Sequence, residues 1–110
     1  MTNTPRFRLV QGRGRRIPAG ELIVIWMPND LGHWRLGLVV SRKVGGAVVR
    51  NRIKRRIREA FRAKAHQKLV GADLVVIARP AAAGAPFSRL AENLHRAMDQ
   101  VVAAMANDTR

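Results

Sequence analysis

The stretch Lys43-Val-Gly45-Gly46-Ala47-Val48-Val49-Arg50-Asn51-Arg52-Ile53-Lys54-Arg55-Arg56-Ile57-Arg58-Glu59 decides how this chain is read. Gly45-Gly46 breaks whatever element precedes it, and no Gly or Pro follows until after Leu69. Ile53, Ile57, Ala60, Phe61 and Ala65 recur at i, i+4, i+7 and i+8, the stripe of one helix face. The pattern predicts a helix over 49–69. At about 100° per residue, Asn51, Arg52, Arg55, Arg58 and Arg62 point away from that stripe. Lys54 and Arg56 flank the seam, where long stems can lie on apolar surface while their charges stay wet. Glu59 falls among these cations, at i+4 from Arg55 and i−3 from Arg62, and is expected to restrain guanidiniums rather than catalyse.

The whole chain of 110 residues has 21 Lys and Arg against 7 Asp and Glu, a formal charge of +14. The excess is uneven: net +4 over 1–41, +10 over 42–68 and zero over 69–110. Like charge at that density repels itself, and a polyanion is the usual compensation, so a nucleic-acid partner is expected. A solvated basic face is the plainer reading, but the acidic half of an ordinary mixed helix is missing here. The length fits one domain, 1–110, with a short and flexible lead-in at 1–6. A hydrophobic content of 47% is enough for a core. There is no Cys, which excludes disulfides and thiolate metal sites and fits a reducing, cytoplasmic setting. The longest apolar run, Leu22 to Pro28, is far short of the ~20 residues of a membrane span. Residues 1–16 lack the apolar core of a secretory signal, and their amphipathic stretch is too short for a transit peptide.

On either side of the basic helix lie strands. Glu21–Met27 carries Leu22, Ile23, Val24, Ile25 and Trp26 and ends at the turn signal Pro28-Asn29-Asp30. Arg35–Lys43 is apolar on both faces at its centre. Asp73–Arg79 is a third strand, with Gly71 placed to close the helix before it. Near the start, Phe7 and Val10 allow a short helical turn before Gly12 and Gly14. After the Ala/Pro/Gly connection 80–86, Ser88 is placed to cap a last helix with the stripe Leu90, Leu94, Ala97, Met98, Val101 and Met105. Its Met residues read as core filler.

The residues of an active site are missing. His33, His66 and His95 are about 30 positions apart and form no local metal motif. The carboxylates are scattered, with no evident acid/base pair. Neither Ser41 nor Ser88 sits in a nucleophile elbow, and the Gly pairs are not phosphate loops of the Walker kind. The chain reads as a binding surface.

The central motif resembles the signature of the bacterial ribonuclease P protein subunit, in which a Lys and a Gly precede Ala-Val-x-Arg-Asn-Arg-x-Lys-Arg-x-x-Arg. Leu36–Ser41 is similar to the family's strand before the motif, and Ala72–Arg79 to the strand after it. Phe7-x-x-Val10 followed by Gly14 is similar to the end of its first helix, so the resemblance covers about residues 6–105. Two features depart from the family. The basic segment before the first helix is almost absent, and Gln11 stands where a second aromatic or large apolar group is common.

The resemblance implies an α+β domain in the order α-β-β-β-α-β-α, with a four-stranded, mostly antiparallel sheet and a left-handed β-α-β crossover. That architecture is shared with the second domain of a small-subunit ribosomal protein. The fourth strand is expected in 15–21 or near His33. It also implies that the catalyst is RNA: an RNA subunit with Mg²⁺ hydrolyses the phosphodiester at the 5′ end of mature tRNA. The protein, itself binding no cofactor or metal, would strengthen binding of precursor tRNA as one protein per RNA. The RNA-binding candidates are Arg42, Lys43, Arg50, Asn51, Arg52, Lys54, Arg55, Arg58, Arg62 and Arg79. Arg forks suit phosphate oxygens. Asn51 suits a ribose hydroxyl or base edge, or else caps the helix. The family's leader cleft, between sheet and first helix, would be lined by Phe7, Val24 and Trp26, unless these are core. Trp34 reads as a loop anchor. A ribosome component and a cationic membrane-surface protein are the alternatives, and neither requires Arg-Asn-Arg after Ala-Val.

Overall fold

The computed structural model describes residues 4–108. The first helix, α1 (Pro5–Arg13), starts where Thr4 Oγ1 accepts the Phe7 N–H at 3.2 Å, with Pro5 in the first turn. Of the lead-in expected at 1–6, residues 1–3 lie outside the described residues, and Pro5 and Arg6 are already helical. At Gly14 the chain passes so close to β2 that a Cβ would lie 2.5 Å from Val10 O and 2.7 Å from Ile25 Cγ2. Only Gly fits there, and the strand β1 (Arg15–Ala19) begins at once. It turns through Gly20, at φ +62°, into antiparallel β2 (Leu22–Pro28). Next come β3 (Arg35–Val39), α2 (Ala47–Ala65), β4 (Ala72–Ala78), a 3₁₀ turn (Pro80–Gly84) and α3 (Phe87–Asp108). The fourth strand is therefore β1, which an alternation-based reading misses because Arg15, Arg16 and Pro18 are all exposed.

Four boundaries differ from the sequence expectation, the first being the start of α2 at Ala47 rather than Val49. β3 ends at Val39 because Val44 N–H and Gly45 N–H bond back to Ser41 O and Arg42 O, turning the chain toward α2. α2 stops at Ala65, before Gly71: His66 Nδ1 donates to Arg62 O and Gln67 Nε2 to Ala63 O, so polar side chains take up the last carbonyls. Gly71 instead lies against Asn29, whose N–H bonds to Gly71 O at 2.8 Å. α3 begins at Phe87, so Ser88 lies inside its first turn rather than at its cap.

The sheet order is β1-β2-β4-β3, with β1/β2 and β2/β4 antiparallel and β3/β4 parallel. Strand alternation gives it two unequal faces. Leu22, Val24, Trp26, Leu74 and Val76 face one way, against Ile53, Ile57 and Ala60 of α2 and Leu90, Leu94, Met98 and Val101 of α3. Each such side chain contributes on the order of 2 kcal/mol by burial, against ~0–1 for a surface ion pair. The apolar seam therefore sets the roll of α2, and its cations go where that roll puts them. The other face has only Phe7 and Val10 of α1 packed over Ile25 and Val75, with Ile23, Met27, Val39 and Ile77 half-buried around them.

One polar cluster ties α1 to this thinner face. The Asp73 side chain is wholly buried. Its Oδ1 accepts from Arg35 Nε at 2.8 Å and Asn29 Nδ2 at 2.7 Å. Its Oδ2 accepts from Arg35 Nη2 at 2.8 Å and Arg6 Nε at 2.7 Å. Four donors fill the four lone-pair positions of the carboxylate. Burial alone would push the Asp73 carboxyl up, but the hydrogen bonds from Arg35, Arg6 and Asn29 and the charge of Arg35 hold it well below the usual carboxylate range. The same contact raises Arg35 further.

Asp73→Asn is expected to lower stability by roughly 3 kcal/mol, the low end for a broken buried pair because both guanidiniums reach solvent. Because the folded-state value is depressed, the Asp73 contribution is complete above the unfolded value of about 3.9 and is lost as pH falls below it. Urea unfolding at pH 7 and pH 3 should show a smaller acid-induced loss in Asp73→Asn than in the natural chain. Equal losses would remove the Asp73 linkage.

Candidate nucleic-acid interface

With Ile53 and Ile57 pinned to the sheet, the opposite side of α2 faces solvent. Asn51, Arg55, Arg58 and Arg62 are exposed there, spanning about 16 Å of helix at 1.5 Å per residue. Arg50 and Lys54 flank this row on one side, Arg52 and Arg56 on the other, and all four are half-buried. The Nε atoms of Arg50 and Arg52 are buried without a hydrogen-bond partner, a desolvation the isolated protein does not offset. Among the described residues, Lys64, paired with Asp99 at 2.9 Å, is the one α2 cation in an ion pair. Glu59 forms none, so its expected hold on Arg55 and Arg62 is not seen. Gly46 caps the helix without a side chain, and the first turn has no acidic residue. Asn51 lies a full turn inside the helix and so is not a cap.

The parallel pairing of β3 and β4 extends this surface. Both strands end at the same edge of the sheet, since Val39 pairs with Ile77. Arg42 and Lys43, in the turn after β3, and Arg79, just after β4, are exposed there beside the start of α2. All ten residues expected to meet RNA thus lie on α2 or at the sheet edge where it begins. The positive end of the helix dipole points to that same edge, adding to the attraction for anions.

The three residues expected to line a cleft do not lie together. Phe7 is on the α1 side of the sheet. Val24 and Trp26 are on the opposite side, at 0% and 2% exposure, in the core with α2 and α3. Trp26 packs there on its apolar face with Arg15 over its ring at 5.2 Å. The residues that do share a surface with Phe7 are Ile23, Ile25, Met27, Val75 and Ile77. Their signal is the period of two: once Leu22, Val24 and Trp26 are assigned to the core, the odd positions must face α1. Trp34 anchors its loop, with Nε1 donating to Lys68 O at 2.9 Å and its ring edge-on to Phe61 at 6.5 Å.

Among the described residues no group of three His, Asp or Glu side chains is placed to hold a metal ion, and no helix is long and apolar enough to cross a membrane. The surface has the chemistry of a polyanion-binding face: a row of guanidiniums along one side of a helix, without ion-pair partners among the described residues.

Comparison with known proteins agrees with this geometry. The profile of the family described as Ribonuclease P matches residues 1–102. The chain is 40% identical over 94 residues to a ribonuclease P protein component from Gluconacetobacter diazotrophicus, covering 84% of this chain and 81% of that one. It is 38% identical over 105 residues to one from Roseiflexus, covering 94% and 86%. Among solved structures, the fold is similar to the RNase P protein of Staphylococcus aureus, with TM-score 0.80, 30% identity and coverage of 92% and 93%. It is also similar to that of Thermotoga maritima, with TM-score 0.79, 31% identity and coverage of 87% and 91%. The four-stranded sheet with three helices in the order α-β-β-β-α-β-α is that of these structures, and the chain belongs to the ribonuclease P protein family.

Proposed function

We propose that this chain is the protein subunit of a ribonuclease P ribonucleoprotein. In it the RNA subunit, with its Mg²⁺, hydrolyses the precursor-tRNA phosphodiester at the start of the mature 5′ end. The observation that carries this reading is the unpaired cationic face of α2. Arg55, Arg58 and Arg62 project from it, and Arg50, Arg52 and Lys54 flank them. The helix fixes the spacing of these guanidiniums, whose planar forks suit the RNA subunit's phosphates, and Asn51 among them reads a ribose hydroxyl or base edge. Arg42, Lys43 and Arg79 prolong the contact along the sheet edge.

The thin face of the sheet takes the second RNA segment. Ile23, Met27, Val39 and Ile77 are only partly covered by α1, and Phe7 closes one side. An apolar trough between a helix and a sheet suits the unstacked bases of a single-stranded leader. The two RNA sites lie on opposite faces of one sheet, so a single protein per RNA subunit binds both. The cytoplasm, where tRNA precursors are processed, is the compartment this role calls for.

The test is cleavage of precursor tRNA by a bacterial ribonuclease P RNA at low Mg²⁺. Added protein should stimulate cleavage. Arg55→Ala should weaken subunit assembly, and Ile77→Ala should weaken leader binding with assembly preserved. Absence of stimulation with a cognate RNA would overturn the assignment. A second expectation concerns salt. If about six motif charges meet phosphates, affinity for the RNA subunit should fall by roughly 10³–10⁵ between 50 and 200 mM salt. A flat response in a filter-binding titration would contradict an electrostatic interface.

A further inference from the structure

The cluster around Asp73 does more than hold α1. Each guanidinium carries N–H donors on Nε, Nη1 and Nη2, five in all. Arg35 spends Nε and Nη2 on Asp73, and Arg6 spends Nε on Asp73 and Nη2 on Pro28 O at 2.6 Å. Nη1 of each has no partner among the described residues. Neither side chain is closed off, at 31% exposure for Arg6 and 36% for Arg35. Both line a pocket of about 280 Å³ with Pro28, Asn29, Asp30 and Leu31. Two guanidiniums share one carboxylate, so the cluster keeps one positive charge of its own. Asp30, on the rim and exposed, is the one anion lining the pocket.

The position of this pocket gives it a direction. Arg35 pairs with Asp73 in register, and Asp73 with Met27, so the cluster lies on the α1 side of the sheet, at the end of the Ile23–Met27–Ile77 trough. Along β4 it is about 20 Å from Arg79, at ~3.3 Å per residue. Arg79 marks the edge where α2 begins. A strand of RNA lying in the trough and leaving the α2 edge therefore arrives at Arg6 and Arg35.

We propose that Arg6 and Arg35 form a phosphate clamp that binds one backbone phosphate of the single-stranded leader at the far end of the trough. This rests on the reading of the trough as the leader site and names the residues that fix the strand's far end. Asp73 pre-orders the clamp: it takes Nε and Nη2 of Arg35 and Nε of Arg6, whose Nη2 is held by Pro28 O, so both guanidiniums are in place before RNA arrives. The planar fork is the geometry that grips phosphate oxygens. Asp30 sits where it opposes the same charge, which sets the clamp's strength below that of two unopposed arginines.

The experiment uses the assembled holoenzyme and precursor tRNAs whose leader carries a single neutral methylphosphonate, moved one position at a time. At one leader position away from the cleavage site, the substitution should weaken binding about tenfold, the worth of one charge-assisted contact. In Arg6→Gln, which keeps a donor for Asp73, the same substitution should have no effect. Arg6→Lys, which keeps the ion pair but not the fork, should show the same insensitivity, and Asp30→Asn should bind the unmodified leader more tightly. A methylphosphonate penalty identical in the natural chain and both Arg6 variants at every position would overturn the clamp. Equal affinity of the natural holoenzyme for tRNA with and without a leader would overturn the trough reading itself, a separate outcome.

Discussion

A single buried carboxylate holds together the part of this fold that has least apolar support. Most of the sheet's burial is on the side of α2 and α3, where two long helices cover it. On the other side α1 brings only Phe7 and Val10, too little apolar surface to hold a nine-residue helix in one orientation. Asp73 makes up the difference by joining four parts of the chain: α1 through Arg6, the loop after β2 through Asn29, β3 through Arg35, and its own strand β4. Asn29 passes the order on, taking the Leu31 N–H on Oδ1 and donating to His33 O. The seat of α1 on the sheet is therefore fixed by hydrogen bonds at its N-terminal end and by the tight passage at Gly14 at its C-terminal end.

The basic helix obeys a different logic. Its roll follows from Ile53 and Ile57, which have no alternative to the core, and its cations are carried round to solvent as a consequence. Among the described residues none of them is in an ion pair except Lys64, near the C-terminal end, which meets Asp99. A charge excess of this kind makes the isolated chain less stable than it could be and makes a polyanion partner correspondingly favourable. Stability and function are thus divided between the two faces of α2, and substitutions on one face leave the other largely intact.

Much of this was legible in the sequence. The stripe of Ile53, Ile57 and Ala60 and the run of Arg around it gave both the helix and its exposed face. Phe7 and Val10 gave α1, and the three apolar strands were plain. The rest was hidden for identifiable reasons. β1 carries Arg15, Arg16 and Pro18 on an edge where pairing with β2, not burial, makes the strand. Trp26 is placed in a cleft only by the family resemblance, and the sequence leaves a core position equally open. Its place in the core follows only from the register Trp26↔Leu74, which no local pattern reveals. Ile23 and Ile77 are not set apart from their neighbours by the sequence, because continuous apolar strands give no hint of which face is thinly covered. The Asp73 cluster joins residues up to 67 positions apart, beyond the reach of any spacing rule.

The absence of Cys from the chain allows one direct measurement of where RNA lies. A single Glu59→Cys variant, tethered to an iron chelate and assembled with the RNA subunit, generates hydroxyl radicals beside the exposed face of α2. Glu92→Cys places the same chelate on α3, in the stretch 69–110 whose charges cancel. The account predicts discrete strand breaks in the RNA subunit from position 59 and none above background from position 92. Breaks of equal strength from both, or none from position 59 in an assembled complex, would contradict the claim that α2 is the face on which the RNA subunit binds.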